Sequence, residues 1–314
     1  MKNILVTGGA GFIGSNLVLA LQERYPDAWI VVVDDFRSGD FRNLQSYRGD
    51  IVAADVSRLD FGRQFSRMTF DAIFHQASIT DTTVHDQRLQ VHDNVEGFRR
   101  ILEFAAPNLT PVVYASSAAT YGTRRTVMRE DMAPEPANVY AFSKVQLDHL
   151  ARAFSKQYLA WRIVGLRYFN VYGPHEAHKN AASSMIFQLY SQMVCGKRPR
   201  VFAGGEQKRD FVSVTDVVDL TIRAVEAPAS GVYNCGSGVA YSFNQVIASL
   251  NECLGTNLET DYFENPYRFY QPHTEADMSR AKRDFGFVPQ YHPKAGIAHY
   301  VETLKSADSA WVTD

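Results

Sequence analysis

The chain has 314 residues, 46% of them hydrophobic, and a formal net charge of −2, which suits one large α/β unit or two modest domains. The balanced charge offers no basic surface for nucleic acid, and the longest apolar runs are far shorter than a membrane span. Three widely spaced cysteines without metal-binding spacing fit free thiols in a reducing cytoplasm. We therefore expect a cytoplasmic protein that binds neither nucleic acid, nor a membrane, nor a metal.

The N-terminal stretch predicts a strand, a glycine loop and a helix. Residues 4–7 form a short apolar strand, the loop spans residues 8–14, and residues 15–24 show an apolar face at helical spacing. Glycine permits a tight turn and lets a cofactor pyrophosphate approach the positive end of the helix. The pattern predicts a dinucleotide-binding loop with contacts from Gly8, Gly11, Phe12, Ile13 and Gly14.

The second predicted strand, residues 29–33, ends in Asp34 and Asp35. A carboxylate at this position accepts hydrogen bonds from the adenosine ribose and repels a 2′-phosphate, so the two acids favour NAD. Arg37 and Arg42 argue for NADP, because a guanidinium can bind the 2′-phosphate. A plain polar turn is the other interpretation of the two acids.

Three further strands are predicted at residues 51–55, 72–77 and 111–115, and they alternate with helices. This alternation is typical of a doubly wound parallel sheet of the Rossmann type. Ligands bind beyond the carboxyl ends of such strands. We expect further cofactor contacts there from Asp55, Ala77 and Asn94.

Tyr140 and Lys144 lie four residues apart, on the same face of a predicted helix. A lysine ammonium favours a neighbouring phenolate, so we expect Lys144 to lower the pKa of Tyr140 and to make it a general base. Alone, the pair also fits a packed phenol and a solvated amine on an amphipathic helix. The glycine loop and the polar loops upstream favour the catalytic interpretation.

Taken together, the glycine loop, Asp55, the Ser-Ala-Ala-Thr-Tyr-Gly stretch and the Tyr140 and Lys144 pair resemble extended short-chain dehydrogenases/reductases that act on nucleotide sugars. The resemblance covers nearly the whole chain. It implies that Ser117 hydrogen-bonds the reacting hydroxyl, that Tyr140 is the base, and that Lys144 also holds the nicotinamide ribose. Ser116 is the alternative to Ser117. A non-catalytic relative that only binds the dinucleotide would be expected to lack the Tyr and Lys pair.

The two residues after Ser117 bear on the reaction type. Nucleotide-sugar dehydratases of this family carry Asp-Glu there, whereas this chain has Ala118 and Ala119, which cannot move protons. The resemblance therefore implies an epimerase. A hexose C4 epimerase or a net reductase on another nucleotide sugar is the alternative.

The second half of the chain is similar to the ADP-L-glycero-D-manno-heptose 6-epimerases at residues 167–179, 208–212 and 267–277. In that subfamily the lysine matching Lys179 faces the tyrosine across the sugar as a second acid/base. A carbonyl that turns its other face to the nicotinamide needs such a second proton donor. A solvated loop cation is the competing interpretation of Lys179.

The subfamily resemblance also implies a substrate set and an oligomer. Arg209 suits a diphosphate, although it could instead pair with Asp210. A homo-oligomer is expected, and the NADP preference of the subfamily is put in doubt by Asp35 and Asp40. The expected substrate contacts are Ser78, Ser117, Asn170, Lys179, Phe202, Arg209 and Tyr270.

We predict two domains. The dinucleotide-binding domain comprises residues 1–169 and 211–235, and a smaller, discontinuous α/β substrate domain comprises residues 170–210 and 236–314. Helices are predicted at residues 243–254 and 295–304.

Overall fold

The computed structural model describes residues 1–80, 86–265 and 271–311, without the side chains of residues 203 and 307–311. The strands are β1 (Asn3–Thr7), β2 (Trp29–Asp34), β3 (Asp50–Ala53), β4 (Ala72–His75), β5 (Val112–Ser117), β6 (Ile163–Tyr168), β7 (Asn170–Tyr172), β8 (Arg200–Phe202), β9 (Lys208–Ser213), β10 (Gly231–Cys235), β11 (Ala240–Ser242) and β12 (Asp261–Phe263).

The α-helices are α1 (Phe12–Arg24), α2 (Phe61–Gln64), α3 (Gln87–Ala105), α4 (Val139–Gln157), α5 (Met185–Val194), α6 (Val214–Arg223), α7 (Phe243–Leu254), α8 (Ser279–Phe285) and α9 (Pro293–Trp311). Short 3-10 helices occupy Phe41–Leu44, Ala106–Asn108, Ala118–Tyr121, Ala177–Ala182, Ala203–Gly205 and Ala224–Glu226. Within the described ranges, no helix combines the length and the apolar character needed to cross a membrane.

Seven parallel strands form the central sheet, in the order β10-β6-β5-β4-β1-β2-β3. The chain starts in the middle with β1, winds outward to β3, and then returns through β4 to the other edge. This order is that of a doubly wound sheet, with the switch point between β1 and β4. The predicted Rossmann-type fold is confirmed.

Both faces of the central sheet are buried, which explains why its strands are almost continuously apolar. Alternate residues of β1 enter different clusters: Ile4 and Val6 pack on the face of α1, and Leu5 packs on the other face with Phe98 and Leu147 of α3 and α4. The helices thus fix the sheet from both sides, and its carboxyl edge carries the loops.

Two small sheets follow β6. One has the order β11-β9-β7 and the other pairs β12 with β8, and a third apolar cluster joins them to α5, α7 and α9. β9 spans the boundary predicted at residues 210 and 211. The division into two domains stays a proposal.

Several element bounds differ from those expected. The third strand ends at Ala53, because the Asp55 carboxylate accepts hydrogen bonds from the Ser57 backbone and hydroxyl and turns the chain. β5 continues through Ser117, since it pairs in register with β6 up to Tyr168. The last helix extends beyond the expected residues 295–304 at both ends.

Candidate active site

A cavity of about 440 Å³ lies at the carboxyl edge of the central sheet. Most of the expected site residues line it, although they come from widely separated parts of the sequence. They are Gly8, Gly11, Phe12, Ile13, Gly14, Asp34, Asp35, Asp55, Ala77, Ser78, Asn94, Ser117, Tyr140, Lys144, Asn170 and Lys179.

Two of the expected substrate contacts, Phe202 and Arg209, do not line this cavity. Phe202 lines a neighbouring cavity, which shares Met185 with the first. The Arg209 guanidinium lies 5.8 Å from the ring centroid of Phe243 in that second cavity. Tyr270 falls outside the described residues.

The alternative pairing of Arg209 with Asp210 is not favoured. The buried Asp210 carboxylate accepts hydrogen bonds from the backbone N–H groups of Ser237, Gly238 and Ala276. These three bonds tie β9 to the segments that follow β10 and precede α8. Asp210 therefore serves the local architecture beside Arg209.

The glycine loop is a close-packed cradle at the start of α1. Gly8 has φ +72°, and a Cβ there would lie 2.5 Å from the backbone nitrogen of Ala77. A Cβ on Gly14 would lie 1.9 Å from the carbonyl oxygen of Gly8. α1 begins after Gly11 without a side-chain cap, so the first N–H groups of the helix remain available to an anion.

The neighbouring carboxylates at the end of β2, Asp34 and Asp35, make separate contacts. Asp34 is buried and accepts hydrogen bonds from the backbone N–H groups of Ala10 (2.9 Å) and Phe36 (2.8 Å). Burial raises the pKa of Asp34, and these two bonds oppose the shift. Asp34 thereby fixes the glycine loop to the end of β2.

Arg37 is held by three carboxylates. Its guanidinium lies 2.9 Å from Asp35, 3.2 Å from Asp55 and 2.6 Å from Asp93. Asp93 was not identified from the sequence, although it precedes Asn94 on α3 and lines the same cavity. The arginine is thus surrounded by an excess of negative charge.

Arg42 is likewise paired with an acid, Asp40. The hydrogen bonds from Arg42 lower the pKa of Asp40 to about 2. Both arginines that could have held a 2′-phosphate therefore already have carboxylate partners.

Asn94 fixes the loop after β4 to α4. Its side-chain oxygen accepts a hydrogen bond from the Ile79 backbone N–H (2.7 Å), and its nitrogen donates to the Ile79 carbonyl (3.1 Å) and to Ser143 Oγ (3.0 Å). Ser143 stands directly before Lys144. Asn94 therefore positions the neighbours of the expected catalytic residues, while its direct contact with a cofactor stays a prediction.

Ser117, Tyr140 and Lys144 come together where β5 meets α4. Ser117 Oγ accepts a hydrogen bond from the Ala119 N–H (3.1 Å), and its side chain also hydrogen-bonds Tyr140. Lys144 Nζ donates to the carbonyl oxygen of Ala115 (2.8 Å) and lies 5.7 Å from the ring centroid of Tyr140.

The expectation that Lys144 lowers the pKa of Tyr140 is wrong in this structure. Burial raises the pKa of Tyr140, and only the Ser117 hydrogen bond opposes the shift. Lys144 is 1% exposed, and burial lowers its own pKa to about 7, against the opposing effect of Asp148. Desolvation is thus the largest cause of the pKa shift of both members of the pair.

Two further side chains line the cavity close to this pair. The Ser116 hydroxyl is buried and has no hydrogen-bond partner in the described part of the chain, so Ser116 stays the alternative to Ser117. His75 is buried against Phe98, and its Nδ1 lies 2.8 Å from Thr7 Oγ1. Burial lowers the pKa of His75 to about 3, so its ring is neutral at physiological pH.

Lys179 enters the same cavity from the opposite half of the molecule. Its segment, residues 173–184, is called the Lys179 loop below. Lys179 Nζ lies 5.5 Å from the ring centroid of Phe12, at the start of α1. Burial lowers the pKa of Lys179 while Glu176 opposes the shift. These surroundings do not suit a fully solvated loop cation.

The fold and the site define a short-chain dehydrogenase/reductase, and comparison with known proteins agrees. Residues 4–236 match the NAD dependent epimerase/dehydratase family, and the chain belongs to this family. The resemblance inferred from the sequence is confirmed.

Similar proteins match over nearly their whole length. ADP-L-glycero-D-manno-heptose-6-epimerase of Brachyspira hyodysenteriae is 36% identical over 313 residues, which cover 97% of this chain and 98% of the relative. The crystal structure of the Helicobacter pylori ADP-L-glycero-D-manno-heptose-6-epimerase is 38% identical, with a TM-score of 0.89 and coverage of 97% and 96%. Thermotoga maritima UDP-glucose 4-epimerase, solved with UDP-glucose, is 28% identical, with a TM-score of 0.90 and coverage of 98% and 99%.

The residues present fit the dinucleotide cofactor of the family. A Cβ at Gly8 or Gly14 would fill the cradle, the start of α1 is uncapped, and the cavity continues from there to Tyr140 and Lys144. In the described ranges, no group of three His, Cys, Asp or Glu side chains has the arrangement of a metal site.

The burial of Lys144 generates a testable prediction about stability. The pKa of Lys144 is about 7 in the folded protein and 10.5 for a free side chain, so the unfolded chain binds this proton more tightly. Protonated Lys144 therefore destabilises the folded state. This destabilisation is fully present below pH 7 and disappears as the pH rises toward 10.5, the pKa of Lys144 in the unfolded chain. Lys144→Met should therefore raise the free energy of unfolding relative to wild type, and more at about pH 6 than at about pH 9.

Denaturant unfolding at the two pH values measures this difference, with about 1.4 kcal/mol expected for each pKa unit involved. Lys156→Met on the same helix is the control, because Lys156 is exposed and its removal relieves no desolvation. A gain from Lys144→Met that is the same at both pH values would contradict the prediction.

Proposed function

We propose that the protein is an ADP-glycero-manno-heptose 6-epimerase, which oxidises C6 of the sugar transiently and reduces it again from the opposite face. The observation that carries this proposal is the placement of Tyr140 and Lys179 in one cavity with the glycine cradle, each approaching from a different half of the fold. The bound dinucleotide would supply the hydride acceptor and, for the return step, the hydride donor.

The side chains divide the proton chemistry between them. Tyr140 takes the proton of a C6 hydroxyl that points toward α4, and Ser117 donates a hydrogen bond to the reacting oxygen. Burial raises the pKa of Tyr140, so formation of its phenolate is costly. In the proposed mechanism protonated Lys144, 5.7 Å from the ring centroid, stabilises the phenolate during proton transfer without bringing the resting pKa of Tyr140 below its ordinary value. Lys179 exchanges the proton of the epimer whose oxygen points away from Tyr140.

The choice of substrate rests on sequence rather than on overall shape. The Thermotoga UDP-glucose 4-epimerase matches this fold as well as the Helicobacter heptose epimerase does, with TM-scores of 0.90 and 0.89. Identity is 38% to the heptose epimerase and 28% to the glucose epimerase. A nucleotide-hexose 4-epimerase or reductase is therefore the second candidate within enzymes, and a non-catalytic dinucleotide-binding regulator is the candidate of another class.

Incubation with ADP-D-glycero-D-manno-heptose tests the proposal directly. We expect inversion at C6, visible by NMR, and no change at C4 of UDP-glucose under the same conditions. Inversion at C4 of UDP-glucose without inversion of the heptose would favour the hexose 4-epimerase. Net conversion of the dinucleotide from its reduced to its oxidised form would favour a reductase. Dinucleotide binding without turnover of either sugar would favour the regulator.

The two-base mechanism predicts an asymmetric loss of activity. Tyr140→Phe should lower turnover by about 10²–10⁴-fold, the usual effect of a lost acid/base. Lys179→Met should be similarly impaired, but each variant should lose the half-reaction of a different epimer. Single-turnover oxidation of each purified epimer, followed by nicotinamide absorbance, separates the two cases.

Lys282→Met on α8 is the matched control, since Lys282 is an exposed lysine that does not line the cavity. Circular dichroism and the dinucleotide dissociation constant must be as in wild type for each variant. Near-normal rates of Lys179→Met with both epimers would return Lys179 to the solvated-loop interpretation and favour an enzyme with one base.

For the cofactor we propose NAD, with NADP as the alternative that the subfamily resemblance implies. The proposal is supported by the pairing of Arg37 with Asp35, Asp55 and Asp93. A 2′-phosphate near Arg37 would have to compete with three carboxylates, and their excess negative charge would repel it.

The cofactor proposal predicts that NAD binds more tightly than NADP. It also predicts that removal of the acids near Arg37 reduces the difference between the two dissociation constants. The double variant Asp35→Asn/Asp93→Asn should improve binding of NADP relative to NAD by about tenfold, equal to about 1.4 kcal/mol. Asp219→Asn is the control, because Asp219 pairs with Arg223 on α6 and does not line the cavity. Fluorescence titration that shows tighter binding of NADP to wild type would mean that the arginines dominate.

The proposal also includes a homo-oligomer and a cytoplasmic location. The family resemblance supports the first, and the widely spaced free cysteines Cys195, Cys235 and Cys253 support the second.

A further inference from the structure

Glu176 is a fully buried carboxylate on the Lys179 loop, with 0% of its surface exposed. Glutamate is almost never buried to this degree unless its charge has partners. Glu176 does not line the cavity that contains Lys179. Its burial therefore needs an explanation other than contact with substrate.

The Glu176 carboxylate connects the two ends of the Lys179 loop. One oxygen accepts hydrogen bonds from the Gly173 N–H (3.1 Å) and the Ser184 hydroxyl (2.9 Å), and the other accepts from the Ser184 N–H. Tyr300 of α9 faces this carboxylate: burial raises the pKa of Tyr300, and the negative charge of Glu176 raises it further. One charged group thus closes the loop and attaches it to the last helix.

The middle of the Lys179 loop is attached to the dinucleotide-binding half. Its contacts are Asn16 Nδ2 to the Pro174 carbonyl (2.9 Å), Ser15 Oγ to His175 Nδ1 (3.0 Å), and Asn43 Nδ2 to His178 Nδ1 (3.2 Å). Asn43 also donates to the carbonyl of Ala10 in the glycine loop (3.0 Å). The loop therefore bridges α9 and the expected pyrophosphate site.

The backbone of the loop requires this external support. His175 has φ 70° and Asn180 has φ 49°, and neither is glycine. Such left-handed conformations cost about 1–2 kcal/mol per residue and persist only where surrounding contacts enforce them. Lys179 stands directly before Asn180, so loss of the support would move its side chain.

We propose that Glu176 is the positioning residue for Lys179: by clamping Gly173 to Ser184 it holds the loop in the shape that directs Lys179 toward Phe12 and the cavity. The backbone N–H of Lys179 donates to the Glu176 carbonyl (3.0 Å), which adds a local turn to the clamp. This inference rests on the proposed acid/base role of Lys179.

The charge of Glu176 acts on Lys179 as well. Burial lowers the pKa of Lys179, and Glu176 is the group that opposes the shift. Removing the negative charge should therefore lower the pKa of Lys179 further. The other titratable groups around the loop are His175 and His178 within it, Asp40 and Arg42 facing His178, and Tyr300 facing Glu176.

The experiment compares pH–rate profiles of the half-reaction that depends on Lys179. In Glu176→Gln, the part of the pH–rate profile that reports the titration of Lys179 should move to lower pH by about one unit. The profile of the Tyr140-dependent half-reaction should stay where it is in wild type. Tyr300→Phe is the matched control, because it removes the hydroxyl that faces Glu176 and keeps the charge of Glu176, and the part of its profile that titrates Lys179 should stay in place. A Glu176→Gln variant that is slowed equally in both half-reactions, or in neither, and whose profile is not displaced would overturn the proposal.

Glu176→Asp keeps the proposal testable even where Glu176→Gln does not fold. The shorter side chain retains the charge but cannot reach both ends of the loop, so it should slow the Lys179-dependent half-reaction at least tenfold more than the other, with an unchanged dinucleotide dissociation constant. Equal loss in both half-reactions would show a general structural defect and overturn the positioning role.

Failure of this inference is distinguishable from failure of the two-base mechanism. In the double variant Glu176→Gln/Lys179→Met, the rate should equal that of Lys179→Met alone, because Glu176 acts through Lys179. Near-normal rates of Lys179→Met would overturn the mechanism itself. If Lys179→Met is impaired but Glu176→Gln slows both half-reactions equally, or neither, the positioning role alone is overturned.

Discussion

The burial of Lys144 is the constraint on which the candidate site depends. An ammonium group that is 1% exposed is strongly desolvated, and the structure compensates this with the Ala115 carbonyl and with Asp148 one helical turn away. Asp148 in turn accepts hydrogen bonds from Arg167 and Tyr114. Because β5, β6 and α4 each contribute to this network, the Lys144 ammonium can be buried at this position only when the sheet and the helix are packed together.

At the other end of the cavity, charge of the opposite sign is concentrated. Asp35, Asp55 and Asp93 come from the ends of β2 and β3 and from α3, and Arg37 brings them together. The arginine reduces the mutual repulsion of the three acids but leaves an excess of negative charge. That excess is compatible with the hydroxyls of a ribose and unfavourable for an added phosphate.

The sequence predicted those features that follow from local patterns. The doubly wound parallel sheet and the glycine loop were predictable, because buried parallel strands read as continuous apolar runs and because glycines stand where a Cβ would collide with backbone, as at Gly8 and Gly14. The placement of Ser117, Tyr140 and Lys144 at one sheet edge followed from the same topology. The strand ends were less predictable, since side-chain turns such as that of Asp55 set them.

What the sequence could not show depends on burial and on long-range contacts. Spacing brings Tyr140 next to Lys144 but contains no information on desolvation. The predicted direction of the Tyr140 pKa shift was therefore wrong. The role of Glu176 was hidden for a similar reason: its partners Ser184 and Tyr300 become neighbours only when α5 and α9 have packed. Glu176 and Lys179 are titratable groups on the same loop, but Glu176 is buried away from the cavity whereas Lys179 lines it. A charged residue in a loop is therefore best interpreted by the elements that the loop joins, and the Lys179 loop joins both halves of this molecule.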